Sequence, residues 1–71
     1  MNGNAKTRAM LWLYTRWIHC ETRYVVIIIG ECRLEATNMP AFLYVRWDDP
    51  EGMPWALHKG EFLDGRFERT R

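Results

Sequence analysis

The side chains best suited to chemistry in this sequence are His19, Cys20, Cys32 and His58. Imidazole and thiolate groups together form the ligand set of structural zinc sites. Such sites usually take their ligands in close pairs such as CxxC, whereas the adjacent His19 and Cys20 would point to opposite faces of a strand. A cysteine and a histidine also form a nucleophile and base, but a catalytic dyad needs an orienting group and a concave pocket, for which a 71-residue sheet leaves little room. The sequence therefore predicts no metal, no cofactor and no enzymatic activity.

A second chemically active group consists of the acidic residues Asp48, Asp49 and Glu51. They lack the regular alternation of oxygen ligands that calcium-binding loops use. Aspartate bonds to its own backbone, proline fixes φ, and glycine accepts a positive φ, so residues 48–52 predict a turn.

Aromatic and arginine side chains lie close together in Tyr44-Val45-Arg46-Trp47 and in Arg16-Trp17. This combination is compatible with stacking on single-stranded nucleic acid. The formal net charge is only +1, however, and acidic residues are spread among the basic ones. Because this balance gives little attraction for a phosphate backbone, packing and protein contact are the preferred interpretation, with nucleic-acid binding as the alternative.

Length and composition predict one small folded domain. A chain of 71 residues with 48% hydrophobic residues can bury enough apolar surface to fold but is too short for a second domain. Residues 1–8 are small and polar and predict a flexible arm, so the domain is expected to span residues 9–71. Two cysteines are too few for a secreted disulfide scaffold, which favours free thiols in a reducing cytoplasm.

Neither membrane insertion nor export is expected. The longest apolar run, residues 24–29, is far shorter than the roughly 20 residues that a membrane helix needs. The apolar stretch that follows Lys6 and Arg8 ends at Arg16, and no small-residue cleavage site follows it.

The pattern of apolar residues predicts an all-β fold of about five short strands, as a small curled antiparallel sheet or a barrel. Residues 23–29 contain five consecutive β-branched residues and form the clearest strand, and Gly30 predicts a bulge that bends it. Further strands are expected at residues 41–47, 55–58 and 66–69, with a short helical turn near residues 61–63. Residues 9–18 fit either a helical face or a doubly buried strand, and their density of Trp and Tyr favours the strand.

The strand at residues 41–47 has two apolar faces, and only one can fill the core of so small a domain. We expect Leu43, Val45 and Trp47 to point inward, which leaves Phe42, Tyr44 and Arg46 at least partly exposed. The predicted core consists of Leu13, Tyr24, Val26, Ile28, Leu43, Val45 and Phe62.

Short motifs are spread over about residues 14–69, and they are Tyr14 with Trp17, Tyr24 with Val26, Leu43-Tyr44, Trp55, and Glu61-Phe62-Leu63-Asp64-Gly65-Arg66-Phe67. They resemble the loose pattern of a small uncharacterised SH3-like domain of bacteria and their phages. That pattern runs from Y-x-H-x-x-G-x-x-Y-x-V through V-V-Y to W-V-R-P-x-x-x-F, sometimes with D-G-R-F. The sequence departs from the pattern at Cys20-Glu21-Thr22, where the family has a glycine turn, and at Ala56-Leu57-His58, where it has V-R-P.

This resemblance implies a compact SH3-like antiparallel barrel without catalytic residues, often encoded by phages, and it favours a strand over a helix at residues 11–18. The resemblance assigns no functional residue to this chain. We expect a small binding protein in the bacterial cytoplasm that contacts a host protein, for example to inhibit a defence nuclease such as a CRISPR effector.

The expected contact surface combines exposed aromatic and arginine side chains, which dominate binding energy at interfaces, with the acidic turn. It consists of Phe42, Tyr44, Arg46, Asp48, Asp49, Glu51 and Trp55. Self-association through the same surface is the alternative, so the protein is expected to be a monomer or a homodimer.

Overall fold

The β-branched run that begins at Val25 forms the middle of the fold. In a computed structural model, which describes residues 11–70, this run belongs to the central strand of a five-stranded antiparallel sheet. The strands are β1 (Arg16–His19), β2 (Val25–Arg33), β3 (Pro40–Arg46), β4 (Trp55–His58) and β5 (Phe67–Arg69), and one short helix, α1 (Lys59–Phe62), follows β4.

The strands lie in the order β4-β3-β2-β1-β5, so that β4 and β5 form the two edges. The sheet is therefore open rather than closed into a barrel. The predicted all-β class, with about five short strands and one helical turn, is confirmed, although the helix begins two residues earlier than expected, at Lys59.

A bulge interrupts the pairing of β2 with β3. Ile28 lies opposite Tyr44 and Gly30 lies opposite Leu43, which leaves Ile29 as the extra residue. The bulge predicted at Gly30 is thus confirmed, and it bends the strand because two residues of β2 there face one residue of β3.

The strand expected over residues 9–18 is wrong for residues 11–15. Residues 11–14 form a turn in which Tyr14 has a φ of 63°, and the strand begins only at Arg16. The backbone N–H of Tyr14 donates to the carbonyl oxygen of Ile28 at 2.7 Å, which holds the turn against β2. The predicted arm at residues 1–8, together with residues 9, 10 and 71, lies outside the described part of the chain.

Aromatic rings dominate the hydrophobic core. One cluster of buried residues consists of Trp17, Val26, Ile28, Phe42, Phe62 and Phe67, and Trp12, Tyr44 and Leu57 pack against it. Of the predicted core, Val26, Ile28, Val45 and Phe62 are confirmed as buried. Leu13 and Leu43 are only half-buried. The prediction of Tyr24 as a core residue is wrong, because its side chain is 50% exposed.

The predicted orientation of β3 is wrong for its aromatic residues. Phe42 is 0% exposed, whereas Trp47 is 51% exposed. The reason is the position of α1, which places Phe62 with its ring centroid 5.2 Å from that of Phe42 and so covers the face that holds Phe42 and Tyr44.

Side-chain contacts hold α1 at its amino-terminal end. The Nδ1 atom of His58 accepts a hydrogen bond from the backbone N–H of Gly60 at 3.1 Å, as an N-cap residue does. The ammonium group of Lys59 lies 2.6 Å from a carboxylate oxygen of Glu31 on β2. These contacts hold α1, and with it Phe62, against the sheet.

Candidate binding groove

Three loops meet at one end of the sheet because neighbouring strands are antiparallel. Strands β1 and β3 end there, and β2, β4 and β5 begin there. We call this the loop end, which consists of residues 20–24, 47–54 and 63–66.

A shallow aromatic groove opens beside the loop end, with a volume of about 210 Å³. We call it the aromatic groove. Its walls come from all five strands and from the loop between β1 and β2, and they consist of His19, Thr22, Tyr24, Val26, Tyr44, Arg46, Trp55 and Phe67.

Tyr44 joins the aromatic groove to the core. Its ring is stacked on that of Trp55, with centroids 5.7 Å apart and an angle of 22° between the planes. The same ring meets Phe62 and Phe67 edge-on at 5.4 and 5.6 Å. Burial raises the pKa of the Tyr44 hydroxyl, an effect that the nearby positive charge of Arg66 opposes. Tyr44 therefore stabilises the fold as well as lining the groove.

Arg46 is held in place on both sides. Its guanidinium carbon lies 4.2 Å from the ring centroid of Tyr24, a cation–π contact. Its Nε and Nη2 atoms donate to the two carboxylate oxygens of Asp48 at 3.0 and 2.8 Å. The hydrogen bond with Asp48 raises the pKa of Arg46, so the guanidinium stays charged while its partner offsets that charge.

His19 forms another wall of the groove and fixes the loop between β1 and β2. Its Nδ1 atom accepts hydrogen bonds from the backbone N–H groups of Glu21 and Thr22, both at 3.2 Å. The ring meets that of Phe67 edge-on at 4.9 Å, so β1, the loop and β5 are joined at one position.

The structure brings together part of the predicted contact surface. Tyr44, Arg46 and Trp55 line the groove side by side, and Asp48 is bonded to Arg46. Asp49 and Glu51 lie in the same loop at the same end and are exposed.

Phe42 is the exception among the predicted contact residues, because full burial removes it from any surface. Sequence reasoning also missed His19, Thr22, Tyr24 and Phe67 as groove residues. No local sequence signal marked Tyr24, because its place in the groove depends on the pairing of β2 with β3, in which Val26 lies opposite Arg46.

Among residues 11–70, no group of three or more His, Cys, Asp or Glu side chains is arranged to hold a metal ion. Both cysteines are free, and the exposed Cys20 directs its thiol at the carbonyl oxygen of Gly65, 3.4 Å away. Within the same residues, no helix is long and apolar enough to cross a membrane.

Comparison of the chain with protein-family models, curated proteins and solved structures gives no match.

Proposed function

We propose that the protein is a small non-enzymatic binding protein that acts by contact between its aromatic groove and a partner protein. The observation that carries this proposal is the exposure of large apolar side chains around the loop end. Tyr24 and Trp55 are each 50% exposed, Trp47 is 51% exposed and Met53 is 88% exposed. Large apolar side chains that are exposed together at one end of a protein mark interaction sites more often than singly exposed ones do.

Trp55 has the properties of an anchor residue at an interface. Its ring is held against Tyr44, so little side-chain entropy remains to be lost when a partner binds. Tryptophan, tyrosine and arginine are the residue types that supply most binding energy at interfaces, and all three are present in the groove.

Charge favours protein over nucleic acid as the partner. The three loops of the loop end contain more acidic than basic side chains. Their carboxylates are Glu21, Asp48, Asp49, Glu51 and Asp64, and their arginines are Arg23 and Arg66. Arg46 beside them is bonded to Asp48. A phosphate backbone would meet a surplus of negative charge at this end, so single-stranded nucleic-acid binding is the weaker alternative.

The setting that we propose is the cytoplasm of a bacterial host. The resemblance to a phage-borne domain suggests that the protein is phage-encoded and that the partner is a host protein. Inhibition of a defence nuclease such as a CRISPR effector is one concrete form of this function, and a plasmid-interference assay with and without the protein tests that form.

The general proposal is tested by capture of partners from a bacterial lysate on the immobilised protein, with identification by mass spectrometry and remeasurement with the purified partner. Replacing Trp55→Ala removes the anchor ring and should weaken binding of that partner at least about tenfold, or about 1.4 kcal/mol. The matched control is Met39→Ala, since Met39 is 45% exposed in the turn at the opposite end of the sheet.

If Trp55→Ala folds and binds the partner with the same affinity as the parent protein, the proposal is contradicted. A single-stranded oligonucleotide that binds the parent through the groove, with affinity that falls steeply with salt, would support the nucleic-acid alternative instead.

A further inference from the structure

We infer that the aromatic groove receives a basic segment of the partner protein, with an arginine or lysine side chain placed against the exposed part of Trp55. This inference rests on the proposed function and specifies the chemistry of the partner. Asp49 and Glu51 in the adjacent loop supply the opposite charge.

The first argument is charge complementarity. The segment from Trp47 to Leu57 contains three carboxylates and no lysine or arginine. Arg46 offsets Asp48 at 2.8 Å, but among the described residues no salt bridge joins Asp49 or Glu51 to a cation. Asp49 interacts electrostatically with Arg46 without forming a salt bridge to it, and both Asp49 and Glu51 are exposed. The loop between Arg46 and Trp55 therefore keeps an excess of negative charge, and a basic segment is the partner that complements it.

The second argument is that aromatic rings at this end already bind guanidinium groups within the chain. Arg46 lies 4.2 Å from the ring centroid of Tyr24, and Arg16 lies 5.0 Å from that of Trp47. Both contacts show that a guanidinium group packs favourably against an aromatic ring at this end of the sheet.

Trp55 is an exposed groove ring that still lacks a cation beside it. It is stacked on Tyr44, half of its side chain is exposed, and no cation–π pair among residues 11–70 involves it. An arginine or lysine from a partner would stack on its exposed surface, with Asp49 and Glu51 nearby in the chain. An anionic segment would meet the same carboxylates and be repelled.

The test uses nuclear magnetic resonance of the isotope-labelled chain, with the indole N–H signal of Trp55 as the reporter. The probes are hexa-arginine, hexa-glutamate and a neutral Gly-Ser peptide of equal length. The double variant Asp49→Asn with Glu51→Gln removes charge without changing side-chain size. The matched control is Glu35→Gln, an exposed carboxylate in the turn at the opposite end.

Hexa-arginine should shift the Trp55 signal, and the double variant should bind it about tenfold more weakly. The Glu35→Gln control should bind it like the parent, and hexa-glutamate and the Gly-Ser peptide should leave the signal unchanged. The inference is overturned if Glu35→Gln weakens binding as much as the double variant, because the attraction is then not local. It is also overturned if the neutral or acidic peptide shifts the Trp55 signal equally.

The same variants separate this inference from the proposed function when they are measured against a captured partner. Loss of binding in both Trp55→Ala and the double variant supports both. Loss in Trp55→Ala alone keeps the groove as the binding site and overturns the basic-segment inference. Undiminished binding by all folded variants overturns both.

Discussion

Phe62 is the residue through which the short helix α1 stabilises the sheet, and its replacement gives the sharpest test of the fold. Its side chain is fully buried. Its ring is stacked on that of Phe67 at 4.2 Å and meets Trp17, Phe42 and Tyr44 edge-on at 5.2, 5.2 and 5.4 Å. One side chain thus contacts aromatic residues from β1, β3 and β5.

Replacing Phe62→Ala removes this ring and leaves a cavity, a change that typically costs about 3–5 kcal/mol. A single core in a domain of this size seldom supplies more than about 3–5 kcal/mol in total. We therefore expect Phe62→Ala to be largely unfolded. Phe62→Leu keeps most of the volume but loses the ring-to-ring contacts, and it should fold with a loss of about 1–2 kcal/mol.

Urea denaturation followed by far-ultraviolet circular dichroism measures these changes as shifts of the midpoint at constant slope. The matched control is Leu63→Ala, because Leu63 is the next residue in the chain and is 43% exposed. Its effect should stay within about 0.5 kcal/mol. If Phe62→Ala proves as stable as Leu63→Ala, α1 does not hold the sheet and the described core is wrong.

Three further predictions concern burial, titration and redox state. Val26→Asp places a carboxylate where the native side chain is 4% exposed, so it should cost several kcal/mol and give an unfolded circular dichroism spectrum; a native spectrum would contradict it. Burial raises the pKa of Tyr44, so the folded state retains the phenolic proton longer than the unfolded state, and stability should fall as pH rises beyond the ordinary tyrosine pKa. Urea midpoints at increasing alkaline pH should show this fall in the parent and a smaller one in Tyr44→Phe, and equal falls would refute the assignment. Since both cysteines are free, reductant should leave the melting temperature of the parent unchanged, as in a variant with Cys20→Ser and Cys32→Ser; a fall confined to the parent would show a stabilising disulfide.

The strands could be read from the sequence because their signals are local. A run of β-branched residues predicts β2, and the turn residues after Trp47 predict the start of β4 at Trp55. The bulge was also local, since Gly30 marks it. The turn at residues 11–14 was missed because Tyr14 has a positive φ that its residue type does not indicate.

The inward face of β3 could not be read from the sequence. Alternation shows that Phe42 and Tyr44 share a face with each other and not with Val45, but both faces are apolar. The choice depends on Phe62, which is distant in sequence and packs on Phe42 and Tyr44. Local pattern contains no information about such a long-range contact.

Only part of the groove was predicted, because some of its walls also depend on long-range contacts. Tyr44, Arg46 and Trp55 belong to one hairpin, so their proximity followed from its expected turn. The walls formed by His19 and Phe67 depend on the pairing of β1 with β5, which joins the two ends of the described chain. This pairing appears only in the folded structure.

Hydrogen exchange of the complex, measured by mass spectrometry, shows whether a partner protein binds at the aromatic groove. The partner should slow exchange in peptides covering residues 20–24 and 47–55, while the turn at residues 34–39 at the opposite end should exchange as in the free protein. Protection confined to residues 34–39, with unchanged exchange at the loop end, would show that the groove is not the binding site.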